Sequence, residues 1–299
     1  GSKMRIVAED IAAGGDWSRY SKLDGSNISY QGLPAELIDY KEYFFDSTFK
    51  TKLDQLYDRA EPSRKISYYT PEFKGIRLGV SYIPDSSNAG SSLISVLSAG
   101  INDISIPNTT NTYVINRNVK DAFSLGISYD YNISDGVDLK LAATGEYGRA
   151  VGNIKLVENR GLETERILNQ YKLNDLKTYN IGAILNYGNF GYSGSYGTLN
   201  KSLTSGAFNK TGRGTKYYNG AIAYSQGPIK TSLSYFKSSK YKNNLNSLTL
   251  GSEYKLVPGL LPYAEVSYFQ AKGKPSFYPE APNKKIKGTV AVLGAKLKF

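Results

Sequence analysis

From about Arg64 to the last residue, apolar and polar positions alternate with a period of two, in segments separated by turn signals. Phe123, Leu125, Ile127, Tyr129 and Tyr131 share one side of such a segment, and Ser124, Gly126, Ser128 and Asp130 the other. Val137, Leu139, Leu141, Ala143 and Tyr147 likewise oppose Asp138, Lys140, Thr144 and Glu146. The pattern predicts eleven strands, at 64–70, 75–83, 119–131, 136–149, 176–187, 190–199, 215–225, 228–238, 246–256, 261–271 and 286–299. Most reach the roughly 9–11 residues that a tilted strand needs to cross a bilayer. A soluble sandwich would want more Leu, Ile and Phe on its apolar face; here that face is light in bulk and ends in Tyr.

The connections between these segments fall into two kinds. Short ones lie at Pro71–Lys74, Ile133–Asp135, Gly188-Asn189, Gln226-Gly227 and Val257–Leu260. Long ones, rich in Asn, Ser, Lys and Gly, occupy 84–118, 150–175, 200–214, 239–245 and 272–285. Tight turns at one end and long polar loops at the other describe an up-and-down antiparallel barrel in an outer membrane. Residues 1–63 break the pattern. They are irregular, with Gly14-Gly15, Gly25 and Gly32-Leu33-Pro34, and a short helix is expected around 35–58. Two regions are therefore expected: a leading segment, 1–63, and the strands of 64–299.

Composition sharpens this picture by exclusion. The chain has 299 residues with 26 Tyr, 30 Gly and 11 Phe, but one Trp, one Met, no Cys and no His. That aromatic and Gly content suits strands and turns. Without Cys or His there is no disulfide framework, no thiolate nucleophile, no Ser-His-Asp triad and no ordinary zinc site. Glu163 and Glu165 are flanked by Arg160 and Arg166 and read as a solvated loop, and Gly212, Gly214 and Gly220 fit no phosphate-binding fingerprint. No enzyme activity, cofactor or metal site is expected, with calcium binding by loop carboxylates left open. Mean hydropathy is negative, yet a membrane barrel averages out as polar because its two faces alternate. The Tyr excess is expected to form girdles at the two lipid interfaces, with Tyr82, Tyr131, Tyr147, Tyr187, Tyr224 and Tyr268 as members.

The net charge is +11, and because 1–63 is slightly acidic the excess lies in 64–299. There is no Lys/Arg tract and no nucleic-acid motif, so outer-membrane lipid rather than nucleic acid is the expected partner. Strand parity puts Lys65, Arg77, Lys120, Lys140 and Lys296 on the less apolar face, beside Glu146 and Glu253. On a barrel wall that face is the lumen, since a basic side chain facing lipid at mid-membrane costs about 2–4 kcal/mol. Charges near strand ends could instead sit in solvent at the rims. A net positive lumen follows as an expectation.

The stretch Arg64-Lys65-Ile66-Ser67-Tyr68-Tyr69-Thr70-Pro71-Glu72-Phe73-Lys74-Gly75, continuing to Gly79-Val80-Ser81-Tyr82, resembles the general trimeric porins of Gram-negative bacteria, in particular their alphaproteobacterial and betaproteobacterial branch. Lys3-Met4-Arg5 and Gly15-Asp16-Trp17-Ser18-Arg19-Tyr20 resemble that family's inward constriction loop. The terminal Phe299, preceded by Leu297, Ala295 and Leu293 at every second position, resembles the outer-membrane assembly signal. The resemblance implies passive diffusion of small hydrophilic solutes and ions through a homotrimer. It implies that Arg5, Glu9, Asp10, Asp16 and Arg19 either supply charge across the pore constriction or pair to fasten the loop to the wall. Trp17 is expected to anchor the loop. Porins of this family have sixteen strands with the constriction loop between the fifth and sixth. Eleven strands follow here, and Gly1-Ser2-Lys3-Met4 shows no signal peptide; five preceding strands are expected to be absent from this chain. Two other readings stand beside the channel: an outer-membrane barrel whose loops 84–118 and 150–175 act in adhesion, and a soluble all-β glycan-binding protein.

Overall fold

A computed structural model describes residues 4–14, 64–86, 101–105, 111–158, 166–207, 212–240, 243–273 and 284–297. The helix expected around 35–58 lies outside them. The strands are β1 (Ile66–Tyr69), β2 (Ile76–Asp85), β3 (Ile101–Ser105), β4 (Asn111–Asn116), β5 (Val119–Ser134), β6 (Val137–Ala150), β7 (Asn153–Glu158), β8 (Arg166–Lys172), β9 (Leu176–Tyr187), β10 (Phe190–Asn200), β11 (Thr215–Gln226), β12 (Ile229–Lys240), β13 (Asn243–Tyr254), β14 (Leu260–Gly273) and β15 (Lys284–Leu297).

Eleven of these form one sheet in the order β1-β2-β5-β6-β9-β10-β11-β12-β13-β14-β15, all antiparallel, so that each strand pairs with the next along the meander. They correspond one for one to the eleven segments that the alternation predicts. The pairing is set by tight turns. Around Gly227-Pro228, β11 and β12 hold one register from Gln226↔Ile229 to Thr215↔Lys240. Gly188 and Gly227 sit at φ 55 and 57, a left-handed conformation that glycine adopts at little cost.

Two of the long connections are not irregular. Segments expected as loops in 84–118 and 150–175 contain β3, β4, β7 and β8, which form a second, four-stranded antiparallel sheet. Its β4–β7 ladder continues the β5–β6 hairpin past an interruption at Asn118, whose carbonyl accepts hydrogen bonds from the Val151 and Gly152 amides. Short runs such as Thr112-Tyr113-Val114-Ile115 and Ile154-Lys155-Leu156-Val157 carry the β-prone residues, but their polar surroundings hide them from a pattern search.

The sheet has two unlike faces. Phe123, Leu125, Ile127, Leu141, Tyr147, Ile181, Ile222, Leu233, Leu250 and Val266 lie on one, each exposed. The other carries Ser81, Ser124, Thr144, Asn180, Ser195, Asn219, Ser232 and Ser267, all buried. This inversion, apolar outside and polar inside, is that of a membrane barrel. The six tyrosines expected in the girdles all take outward positions in the register.

Candidate pore lining

Part of this polar face is covered by the first described residues of the chain. Residues 4–14, with a short 3-10 turn at Ala8–Asp10, cross the strands on that side. Ile6, Ala8 and Ile11 pack with Ala142, Ile184, Ala221 and Ala223 in one buried cluster. The Ala13 amide donates to Ser232 Oγ at 2.7 Å, and the Gly14 amide to Glu253 Oε2 at 3.4 Å. Two glycines make the close approach possible. A Cβ added to Gly251 would overlap the Ala13 carbonyl oxygen, and one added to Gly182 would come within 2.7 Å of Ile6 Cβ. Four wall residues that pattern reading did not single out, Gly182, Ser232, Gly251 and Tyr217, thus receive or flank this segment. Their only signal was small or polar character at inward parity.

The residues expected to carry pore chemistry distribute as follows. Arg5 is half-buried and hydrogen bonds Tyr217, whose hydroxyl accepts from Asn180 Nδ2 at 3.0 Å. Asp10 is exposed; its Oδ2 accepts from the Val7 amide at 2.9 Å. Glu9 belongs to the 3-10 turn; its side chain, like Asp16, Trp17, Arg19 and Phe299, lies outside the described residues. Lys65 is exposed just before β1. Arg77 pairs with Glu72 at 3.2 Å and Lys140 with Asp130 at 3.7 Å. Glu146 accepts from Thr178 Oγ1 at 3.2 Å. Lys296 bonds Glu253 at 3.0 Å, and the same carboxylate oxygen faces Gly14.

Lys120 departs from the parity that placed it among these residues. A bulge between Lys120 and Phe123 brings Val119 and Ala122, three apart, into the same buried cluster. Lys120 then stands opposite Arg149, which shares the outward parity of Tyr147, and it pairs with Asp85 at 3.2 Å. The bulge cannot be read from residue types, because Asp121, which adopts φ 50, looks like any other polar strand position.

The expected net positive lumen is also not what the described wall presents. Inward Arg77, Lys140, Lys230 and Lys296 are set against Asp130, Asp138, Glu146, Glu253 and Glu265, a near balance. The basic excess lies elsewhere. In the register, Arg149, Lys177, Lys216, Lys237, Lys272, Lys285 and Lys287 point outward, all at the long-loop end.

Between the leading segment and the wall, toward the short turns, is a cavity of about 690 Å³ lined by Asp10, Asp130, Asp138, Lys140, Asn186 and Lys230 among others. At the long-loop end the chain after β10 turns inward, burying Leu203 with Ile83, Val119, Ala122 and Leu176. Both mouths of the inner face are therefore shaped by chain folded against it.

The Gram-negative porin family profile matches residues 9–274. An uncharacterised protein of Rickettsia conorii is 47% identical over 312 residues, spanning 100% of this chain and 71% of its own length. One from Rickettsia prowazekii is 46% identical, with the same coverage. Among solved structures, an anion-selective porin from Comamonas acidovorans has a TM-score of 0.40 at 16% identity, covering 69% of this chain and 48% of the porin. OmpT of Vibrio cholerae has a TM-score of 0.44 at 12% identity, with 90% and 72% covered. The chain thus spans about half the length of the Comamonas porin. The family profile, matching most of the sequence, decides the assignment: the chain belongs to the Gram-negative porin family and forms the wall of an outer-membrane β-barrel channel.

Proposed function

We propose that this wall serves a passive diffusion pore for small hydrophilic solutes and ions, with residues 1–63 as its constriction segment. The observation that carries the reading is the seating of residues 4–14 across a polar inner face, beside a cavity lined by charges of both signs. An inward segment narrows the lumen and sorts solutes by size, and fixed charges of both signs sort them by charge without a chemical step. In this reading Arg5 and Asp10, with Glu9, Asp16 and Arg19, set the constriction, while Lys65, Arg77, Lys140, Glu146, Glu253 and Lys296 line its approaches. The assembly is a homotrimer, as the resemblance to trimeric porins implies; light scattering on the full-length protein in detergent tests that point.

Liposome swelling tests the function. Full-length protein reconstituted into liposomes should admit a pentose faster than a trisaccharide, with rates falling steadily with solute size. Swelling no faster than in protein-free liposomes would remove the diffusion reading. The loop sheet β3-β4-β7-β8 favours a second role, surface binding by the long loops. Replacing 153–172 with a short Gly/Ser linker should abolish cell binding and spare swelling if that role exists.

A further inference from the structure

The cavity toward the short turns holds an arrangement more specific than mixed charge. One register row crosses the inner face from Asn132 on β5 to Asp138 on β6, Asn186 on β9, Gly191 on β10 and Ala223 on β11. All of them line the cavity. The row begins polar and ends almost without side chains, at a glycine and an alanine. Ile11 of the leading segment covers that bare end: its Cδ1 lies 3.7 Å from where a Gly191 Cβ would stand. At about 4.8 Å per strand, the trough from Asp138 to Ala223 is about 14 Å long.

Its charge is not evenly matched. Asp10, Asp130 and Asp138 line the cavity against Lys140 and Lys230, one acid more than base. Lys140 pairs with Asp130 at 3.7 Å. Asp138 accepts a hydrogen bond from Asn132 Nδ2 at 3.0 Å and, among the described residues, has no cation within 4 Å. Asn186, directly opposite Asp138, is exposed, and its Oδ1 lies 3.2 Å from the Gly191 Cβ position, at the start of the apolar half. A carboxylate and an amide oxygen therefore stand at one end of a trough whose other end is hydrocarbon.

We propose that this trough binds a small organic cation, an ammonium or guanidinium group carried on a short aliphatic chain. The head donates hydrogen bonds to the Asp138 carboxylate and to Asn186 Oδ1, and the chain lies along Gly191 and Ala223 against Ile11. The inference rests on the diffusion reading, in which this inner face meets solutes, and it names the class of solute that the wall retains in passage. An organic anion would place its charge against Asp138. A metal ion wants several oxygen ligands, and no cluster of three acidic side chains suited to one exists among the described residues.

The experiment titrates full-length protein in detergent with n-butylguanidinium chloride, read from the ligand's NMR signals after subtraction of protein-free micelles. Saturation in the millimolar range is expected, weakening at ~1 M salt as charges are screened. Asp138→Asn should raise the dissociation constant about tenfold by removing a charge-assisted hydrogen bond, while Asp138→Glu should stay close to the parent. Lys140→Gln, which removes the nearest opposing charge, should tighten binding about twofold, a gain that no folding defect produces. Guanidinium alone should bind about tenfold more weakly, because it leaves the apolar half empty. Equal affinity in Asp138→Asn, equal binding of butanoate, or equal binding of guanidinium and its butyl derivative would each overturn the proposal. Pentose-driven swelling of liposomes holding the same protein separates the two claims. Swelling without saturable binding removes the cation site alone, and binding without swelling removes the diffusion reading alone.

Discussion

The backbone amide of Ala13 donates a hydrogen bond to Ser232 Oγ at 2.7 Å, joining residues 219 positions apart. Beside it, the bare Cα of Gly251 lets the Ala13 carbonyl come close to β13. A polar anchor and an absent side chain on neighbouring strands therefore fix where the leading segment crosses the inner face. Gly251→Val tests this relation. The new side chain cannot coexist with the Ala13 carbonyl, so the segment should lift from the wall while the outward face is untouched. Larger single-channel conductance with normal membrane insertion is the expected outcome. Ser232→Ala, which removes one buried hydrogen bond worth about 1 kcal/mol, should act in the same direction and more weakly. Unchanged conductance in Gly251→Val would show that residues 4–14 do not limit the pore.

Glu253 holds two partners, the Lys296 ammonium and the Gly14 amide. Glu253→Gln leaves Lys296 without its counter-charge on the inner face, and Lys296→Gln does the reverse. Reversal potentials across a salt gradient should shift toward anions in the first variant and toward cations in the second. Both shifts should shrink at ~1 M salt, where the Debye length falls to about 3 Å. Shifts of the same sign would mean that the pair acts through the segment's position rather than through its field.

Membrane assembly can be tested at the chain's end. Leu293 and Leu297 are outward and exposed on β15, and Phe299 continues that parity in sequence. Phe299→Ala should lower the amount of heat-resistant, membrane-inserted protein several-fold in cells. Full insertion would make Phe299 an ordinary strand-end aromatic.

The main sheet was legible because its signal is local: one residue in, one residue out, with a glycine turn between. Leu125 and Ser124 reveal their faces from type alone. What stayed hidden depends on relations between distant residues. The bulge that moves Lys120 off the inner face needs the β5–β6 register, and the loop sheet needs short strands to find partners across polar sequence. The seating of 4–14 was expected from resemblance, but its receivers, Ser232, Gly182 and Gly251, are small residues that look alike wherever they lie. Net charge misled most. A basic sequence does not say which face is basic; among the described side chains the outward rim carries a basic excess while the inner wall is nearly balanced.

The most direct test of the account places one cysteine on each face of one strand, since the chain has no cysteine of its own. Lys140 lies inward beside the cavity, and its exposed pair with Asp130 contributes little to stability. Leu139 is its neighbour, outward opposite Leu185. In planar bilayers holding the full-length protein, a charged methanethiosulfonate reagent should lower the current stepwise through Lys140→Cys channels. It should leave Leu139→Cys channels unchanged. Equal responses at the two positions, or no response at Lys140→Cys after confirmed labelling, would contradict the assignment of the polar face to a conducting lumen.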